Sequence, residues 1–271
     1  MIKIGVVGAG GRMGSLIART VLESPSLRLA GALENASHPS MGRDIGEVLG
    51  HGRLGVRVTA EAADAFRDCD GIIDFTFPEV TLEVARYAAG NGRFMVIGTT
   101  GFTDAQRQTL AGYAARVPMV LSPNMSIGVN VLFRVVKMVA GLLDESYDVE
   151  IVEAHHRMKK DAPSGTALAL AKAAAEGRGV DLGEKARYER YGMIGARPAG
   201  EIGIQTVRAG DIVGEHTVMF AGNGERIEVV HKAHTRENFA RGAVRAAAWV
   251  AGRKPCLYSM ADVLGIGDED R

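Results

Sequence analysis

The sequence predicts an α/β protein in two parts. A parallel-sheet domain spans residues 1–126 and is completed by 236–271, and an α+β domain rich in strands spans 127–235. Three observations carry this reading. Short apolar runs alternate with segments of helical period up to about residue 126. The pattern then turns to strands joined as hairpins, with Gly222-Asn223-Gly224 marking a turn. Helical periodicity returns from Arg236. Strands alternating with helices argue for a parallel sheet covered on both faces, because the crossover between parallel neighbours is itself a helix.

Each element has a local reason. Residues 2–7 are apolar and rich in β-branched side chains. Beyond a run of glycines, residues 12–23 carry Met13, Leu16, Ile17 and Val21 close to helical spacing. Residues 27–33 form a second strand ending at Glu34. Residues 71–75, 93–97 and 118–121 are further buried strands, separated by helices over 80–89 and 104–115. In the second part, an amphipathic helix over 127–143 leads to a strand over 149–154 and a helix over 164–176. Strands follow at 202–208, 215–220 and 226–232. The C-terminal helix runs through Ala243, Ala247 and Val250, and residues 267–271 read as a frayed polar tail.

Bulk properties exclude several classes. Lys+Arg and Asp+Glu both number 32, so no basic excess marks nucleic acid or an anionic membrane as a partner. No segment approaches the ~20 unbroken apolar residues of a membrane span. The chain enters a strand pattern at once, without a charged and apolar leader. Cys69 and Cys256 have neither ligand spacing nor a paired framework, so both are expected as free thiols. A soluble cytoplasmic protein is expected.

Two constellations carry chemistry. The first is the turn Gly8-Ala9-Gly10-Gly11-Arg12-Met13-Gly14 between strand and helix. Backbone N–H groups and the helix dipole at such a turn face an anion, and the missing side chains let a pyrophosphate approach. The spacing departs from the usual fingerprint. Counting from Gly8 and Gly10, the third glycine position holds Met13, whereas Gly8, Gly11 and Gly14 are evenly spaced. Glu34, 20 residues beyond Gly14, stands where a carboxylate accepts hydrogen bonds from an adenosine ribose. A carboxylate there favours a free 2′-hydroxyl and repels a 2′-phosphate, with Arg43 the nearby opposing cation. NADH is therefore the favoured cofactor, with NADPH as a second substrate of the same site.

The second is Glu153-Ala154-His155-His156-Arg157-Met158-Lys159-Lys160-Asp161-Ala162-Pro163-Ser164-Gly165-Thr166. At the end of a strand, His155 and His156 are expected to point to opposite sides. Histidine suits proton donation near neutral pH, and Lys159 and Lys160 supply charge for carboxylates. A helix begins here, with either Pro163 in its first turn or Ser164 as its cap. Its free N–H groups and the Thr166 hydroxyl offer a second carboxylate site. Glu153, His155, His156 and Asp161 do not make a convincing zinc site, because adjacent strand histidines diverge and no Cys or distant His joins them; no metal is expected. The partner implied is a small acidic substrate.

At these residues the chain resembles the 4-hydroxy-tetrahydrodipicolinate (dihydrodipicolinate) reductases of bacterial and plant lysine biosynthesis. The resemblance covers essentially the full length. It rests on the 153–166 segment, the glycine turn, Asp74-Phe75-Thr76, Gly98-Thr99-Thr100-Gly101 and residues 122–130. It implies a Rossmann-like cofactor domain, a mixed-sheet domain for substrate and oligomerisation, and a homotetramer. On that likeness Gly8, Ala9, Gly10, Gly11, Arg12 and Met13 hold the pyrophosphate and Glu34 the ribose. Gly98, Thr99, Thr100, Ser122, Pro123, Asn124 and Met125 line the nicotinamide end. His155 matches the proton donor/acceptor and Lys159 a second proton donor, and which of them delivers the proton stays open. His156, Gly165 and Thr166 match substrate-binding positions, with Lys159 also placed to touch a carboxylate. Asn35 and Phe77 stand where many bacterial members carry arginines, in keeping with NADH. A different amino-acid or semialdehyde dehydrogenase would share only the glycine turn. A non-catalytic NADH sensor would have no need of the His-His-x-x-Lys pattern.

Overall fold

The computed structural model describes residues 1–267, so all but the first residue of the expected polar tail lies outside the described residues. The chain begins β1 (Ile2–Val7), α1 (Arg12–Glu23), β2 (Leu27–Leu33), α2 (Ile45–Leu49), β3 (Val58–Thr59), α3 (Ala62–Ala65) and β4 (Gly71–Asp74). It continues with α4 (Pro78–Gly90), β5 (Phe94–Ile97), α5 (Asp104–Ala114), β6 (Met119–Leu121), α6 (Ile127–Leu142) and β7 (Asp148–His155). Then follow α7 (Gly165–Arg178), α8 (Leu182–Lys185), β8 (Ala186–Arg187), β9 (Ile202–Arg208), β10 (Gly214–Gly222) and β11 (Glu225–Ala233). The last elements are α9 (Glu237–Val250), β12 (Leu257–Tyr258) and α10 (Met260–Leu264). These elements form two compact units, one of Met1–Ile127 with the described residues from Arg236 on, the other Gly128–Thr235.

In the first unit seven strands lie in the order β12-β6-β5-β4-β1-β2-β3, and every pair is parallel. Alternate residues of one strand serve different cores. Ile73 and Val96 pack into a cluster with Ile17, Val21, Ala243 and Val250, whereas Ile72 and Met95 join Val84, Ala88 and Leu110 on the other face. That is why these strands read as unbroken apolar runs: both faces are buried, and period-two alternation vanishes. The C-terminal α9 contributes Ala240, Ala243 and Ala247 to the first of these cores, which explains why a segment so distant in sequence completes this unit.

In the second unit five strands lie in the order β11-β10-β7-β9-β8. β7 pairs parallel with β9 and antiparallel with β10, so the sheet is mixed. One face is covered by α6 and α7, with Val149, Ile151, Ile202, Ile204, Val218 and Phe220 packed against Leu132, Val136, Leu170 and Ala174. Val207 and Val230 belong to the opposite face and are exposed. The alternating burial along β7 and β10 is the signature of a sheet with one covered face.

Candidate active site

The carboxyl ends of adjacent parallel strands gather the motifs of the first unit. Gly8 follows β1, Glu34 follows β2, Phe75 and Thr76 follow β4, Gly98 follows β5 and Ser122 follows β6. The strand order reverses direction at β1, with β2 on one side and β4 on the other. A crevice at such a reversal is where open α/β sheets bind ligands. Gly8 takes φ 63°, a left-handed conformation suited to glycine. A Cβ on Gly14 would fall 1.9 Å from the Gly8 carbonyl oxygen, so Gly14 is the residue that lets α1 approach the turn. The evenly spaced frame is thus the one with structural meaning. α1 opens at Gly11 without a capping side chain and without an acidic residue in its first turn. Such an end offers backbone donors to an outside anion, so the turn fits a pyrophosphate.

Glu34 is held beside this turn. Its Oε2 accepts the Gly10 N–H at 2.9 Å and its Oε1 accepts that of Asn35 at 2.9 Å. Sequence reasoning missed His38, whose imidazole lies against Gly10 and whose Nδ1 is 2.6 Å from Ser40 Oγ. At the other end, a cavity of about 290 Å³ is lined by Arg12, Met13, Gly98, Pro123, Asn124 and Met125, which brings six of the expected cofactor residues together. Phe75, Arg236 and Phe239 complete its wall. The last two come from the start of the C-terminal helical segment, a placement that no local motif signals. Thr99 is buried, and its hydroxyl accepts the Thr76 N–H at 2.9 Å and the Thr81 hydroxyl at 2.9 Å. Its side chain therefore braces the two loops from beneath. Buried Asp74 does the same, with Oδ1 accepting the Thr76 N–H at 2.9 Å and the Thr76 hydroxyl at 2.6 Å. Burial raises its pKa against these hydrogen bonds.

The second unit builds the charged cluster around Glu153, which is fully buried. Glu153 and His155 lie two residues apart in β7 and so share its helix-covered face. His155 Nδ1 sits 2.6 Å from Glu153 Oε2. Arg208, at the end of neighbouring β9, donates from Nη1 to Oε2 at 2.8 Å and from Nη2 to Oε1 at 2.9 Å. The Ser164 N–H and the Thr206 hydroxyl donate to Oε1 at 3.0 and 3.2 Å. Burial alone would raise the pKa of Glu153, but the bonds from Arg208, His155 and Ser164 outweigh it and bring it to about 2. For His155 burial dominates and lowers the pKa, Lys159 and Arg208 add to that, and Glu153 opposes it.

The helix start resolves in favour of Ser164 as cap, with its Oγ accepting the Ala167 N–H at 3.1 Å. Gly165 follows, exposed, with open space where a side chain would project, so the backbone there is approachable. Lys159 Nζ pairs with Asp161 Oδ1 at 2.9 Å. β7 ends at His155, so strand alternation does not extend to His156, whose carbonyl accepts the Lys159 N–H at 3.1 Å. His216 was not foreseen. It comes from β10, lies edge-on to His155 with ring centroids 5.2 Å apart, and places Nε2 3.3 Å from Ser164 Oγ. Among the described residues no group of three or more His, Cys, Asp or Glu is arranged to hold a metal ion.

Residues 2–125 match the family model described as dihydrodipicolinate reductase, N-terminus, and residues 128–264 match that of the C-terminus. The chain belongs to the dihydrodipicolinate reductase family. It is 54% identical over 266 residues to the 4-hydroxy-tetrahydrodipicolinate reductase of Syntrophobacter fumaroxidans, covering 98% of this chain and 100% of that one. The enzyme of the same name from Desulfotalea psychrophila is 52% identical, with 99% and 100% covered. Among solved structures, the dipicolinate-bound dihydrodipicolinate reductase from Paenisporosarcina sp. TG-14 superposes with a TM-score of 0.77 at 26% identity, covering 97% and 99% of the two chains. An amine dehydrogenase from Mycobacterium smegmatis, at 14% identity and a TM-score of 0.62, shares the fold alone. As a dihydrodipicolinate reductase the chain is an NAD(P)H-dependent oxidoreductase, and it has the Rossmann-like parallel sheet and mixed second sheet expected of it.

Proposed function

We propose that this reductase acts on 4-hydroxy-tetrahydrodipicolinate in diaminopimelate and lysine biosynthesis, taking a hydride from NAD(P)H at ring C4 of the derived conjugated imine. The observation that carries the reading is the gathering of His155 and the approachable start of α7 around one buried carboxylate, with Lys159, paired to Asp161, near enough to act on His155, in a chain of this family. Lys159, His156 and the Gly165–Thr166 backbone hold the two substrate carboxylates and so fix the ring. Hydride addition leaves negative charge in the conjugated system, and a proton from His155 or Lys159 quenches it. Positioning and charge stabilisation of this kind contribute several kcal/mol to lowering a barrier, on the order of 7 kcal/mol or more where the geometry is near attack.

The cofactor is held through Gly8–Met13, with its adenosine ribose on Glu34 and its nicotinamide end toward Gly98–Thr100 and Ser122–Met125. When bound it supplies the hydride. Glu34 lies against the turn with its carboxylate held on the Gly10 and Asn35 N–H groups, and a negative charge there supports NADH over NADPH. Among the described residues no helix is long and apolar enough to cross a membrane, and we place the enzyme in the cytoplasm. A homotetramer is supported by the open face of the mixed sheet, with Val207 and Val230 exposed, and by exposed Tyr191, Met193 and Ile194 in the preceding irregular segment. Equilibrium sedimentation of a monomer at working concentrations would refute the assembly.

The binding half of the proposal is tested with dipicolinate, a planar dicarboxylate that cannot be turned over. Calorimetry in the presence of NADH should show dipicolinate binding that Lys159→Ala weakens at least ~10-fold, the weight of one charge-assisted contact. Equal affinity in the variant would remove Lys159 from the carboxylate site.

A further inference from the structure

The hydrogen bonds around Glu153 assign it a duty that neither the motif nor the family likeness supplies. We propose that Glu153, paired with Arg208, is the positioning residue that fixes His155 as its Nδ1–H tautomer and reserves Nε2 for proton traffic. The inference rests on the reductase reading for the identity of the proton moved, and on geometry alone for the tautomer.

An ionised carboxylate only accepts, through two oxygens with about four lone-pair positions. Arg208 takes two of these in a fork, at 2.8 and 2.9 Å. The Ser164 N–H at 3.0 Å and the Thr206 hydroxyl at 3.2 Å crowd onto Oε1 with Arg208 Nη2, so Oε2, which carries only Arg208 Nη1, keeps a position for one more donor. The approach of His155 Nδ1 to Oε2 at 2.6 Å is then a hydrogen bond only if the proton sits on Nδ1. A buried carboxylate already matched by a guanidinium does not take that proton itself. The other ring nitrogen, Nε2, lies 3.1 Å from where a Cβ on Gly214 would be, so the absence of a side chain at Gly214 leaves room for it.

Two consequences follow. Neutral His155 accepts a proton at Nε2, and the resulting imidazolium remains hydrogen-bonded to an anion, so Glu153 favours the proton-donating form. Burial, Lys159 and Arg208 oppose it. Through the Ser164 N–H the same carboxylate also ties the proton carrier to the first turn of α7, so the two parts of the site move together.

The variant Glu153→Gln separates positioning from bracing. A glutamine that keeps its oxygen toward Ser164 and Arg208 Nη2 puts its amide N–H₂ in the place of Oε2, where it gives up the Arg208 Nη1 bond and faces Nδ1, which must then accept. The tautomer inverts to Nε2–H. In ¹⁵N-histidine NMR, with the resonance assigned by its loss in His155→Asn, wild-type protein should show Nδ1–H and Glu153→Gln should show Nε2–H. Turnover should fall ~10-fold or more with a smaller change in KM, and the basic limb of the kcat profile should move to lower pH. A residue that merely braces the helix start would raise KM and leave the tautomer and the pH limb in place, and that result would overturn the proposal. If Glu153→Gln does not fold, the wild-type spectrum still decides, because an Nε2–H tautomer there refutes the assignment outright. Correct tautomers in a protein without reductase activity would uphold the positioning and sink the reductase reading.

Discussion

Acidification should unlock the second unit before it reaches the carboxylates, and the group responsible is His216. His216 is 4% exposed, its Nδ1 has no hydrogen-bond partner among the described residues, and His155 lies edge-on to it. Burial, with help from His155, His231 and Lys159 and against the pull of Glu153, lowers its pKa from 6.5 to about 4. In the unfolded chain His216 takes its proton near 6.5, while the folded chain resists until about 4. Stability is therefore complete above pH 6.5 and is lost as pH falls to about 4, by about 3 kcal/mol for this group. His155, also lowered, adds a smaller loss in the same direction. Glu153 acts later: its pKa falls from 4.5 to about 2, so its contribution is intact above 4.5 and disappears toward 2. The only tryptophan, Trp249, belongs to α9 in the first unit, so its fluorescence reports the wrong part of the chain. Hydrogen exchange of β7 and β10 amides between pH 7 and 4.5, at fixed protein concentration, reports the right one. His216→Asn should remove most of the loss over that range. An unchanged pH dependence in the variant, or a His216 imidazole titrating near 6.5, would refute the reasoning.

Two further substitutions bear on the chemistry. His155→Ala should lower kcat by ~10²-fold or more with little effect on KM, because a proton donor acts chiefly in the transition state. Steady-state turnover at the wild-type level would remove His155 from the reaction. Lys159→Ala should raise KM and lower kcat together, since Lys159 is assigned both a carboxylate and a proton; wild-type constants would exclude both roles.

Much of this architecture is legible in the residues, for physical reasons. Strands buried on both faces show as apolar runs, and β1, β2 and β4–β6 appear where such runs occur, within a residue or so at each end. α7 announces itself through Ser164, a cap whose hydroxyl satisfies an otherwise unpaired N–H. Short elements escape. β3, β8 and β12 have two residues each, and α2, α3, α8 and α10 are one turn or little more, too short for any periodicity. In the candidate site, residues close in sequence were legible: the glycine turn, Glu34, and the 153–166 cluster. Residues brought in by long-range pairing were not. Arg208 meets Glu153 because β9 pairs with β7, His216 because β10 does, and Phe239 reaches the first unit's cavity from the C-terminal helix. Glu153 itself was visible, but its meaning depends on those partners.

The most direct test of the reductase assignment is oxidation of NADH, and in a parallel run NADPH, followed by loss of reduced-nicotinamide absorbance. Substrate is generated in place from pyruvate and aspartate semialdehyde by the preceding enzyme. The account predicts rapid oxidation that depends on substrate, with the higher kcat/KM for NADH, because Glu34 is assigned the adenosine ribose and a carboxylate there repels a 2′-phosphate. A large NADPH advantage would contradict the role given to Glu34. No oxidation with either cofactor, from protein that binds NADH, would contradict the function itself.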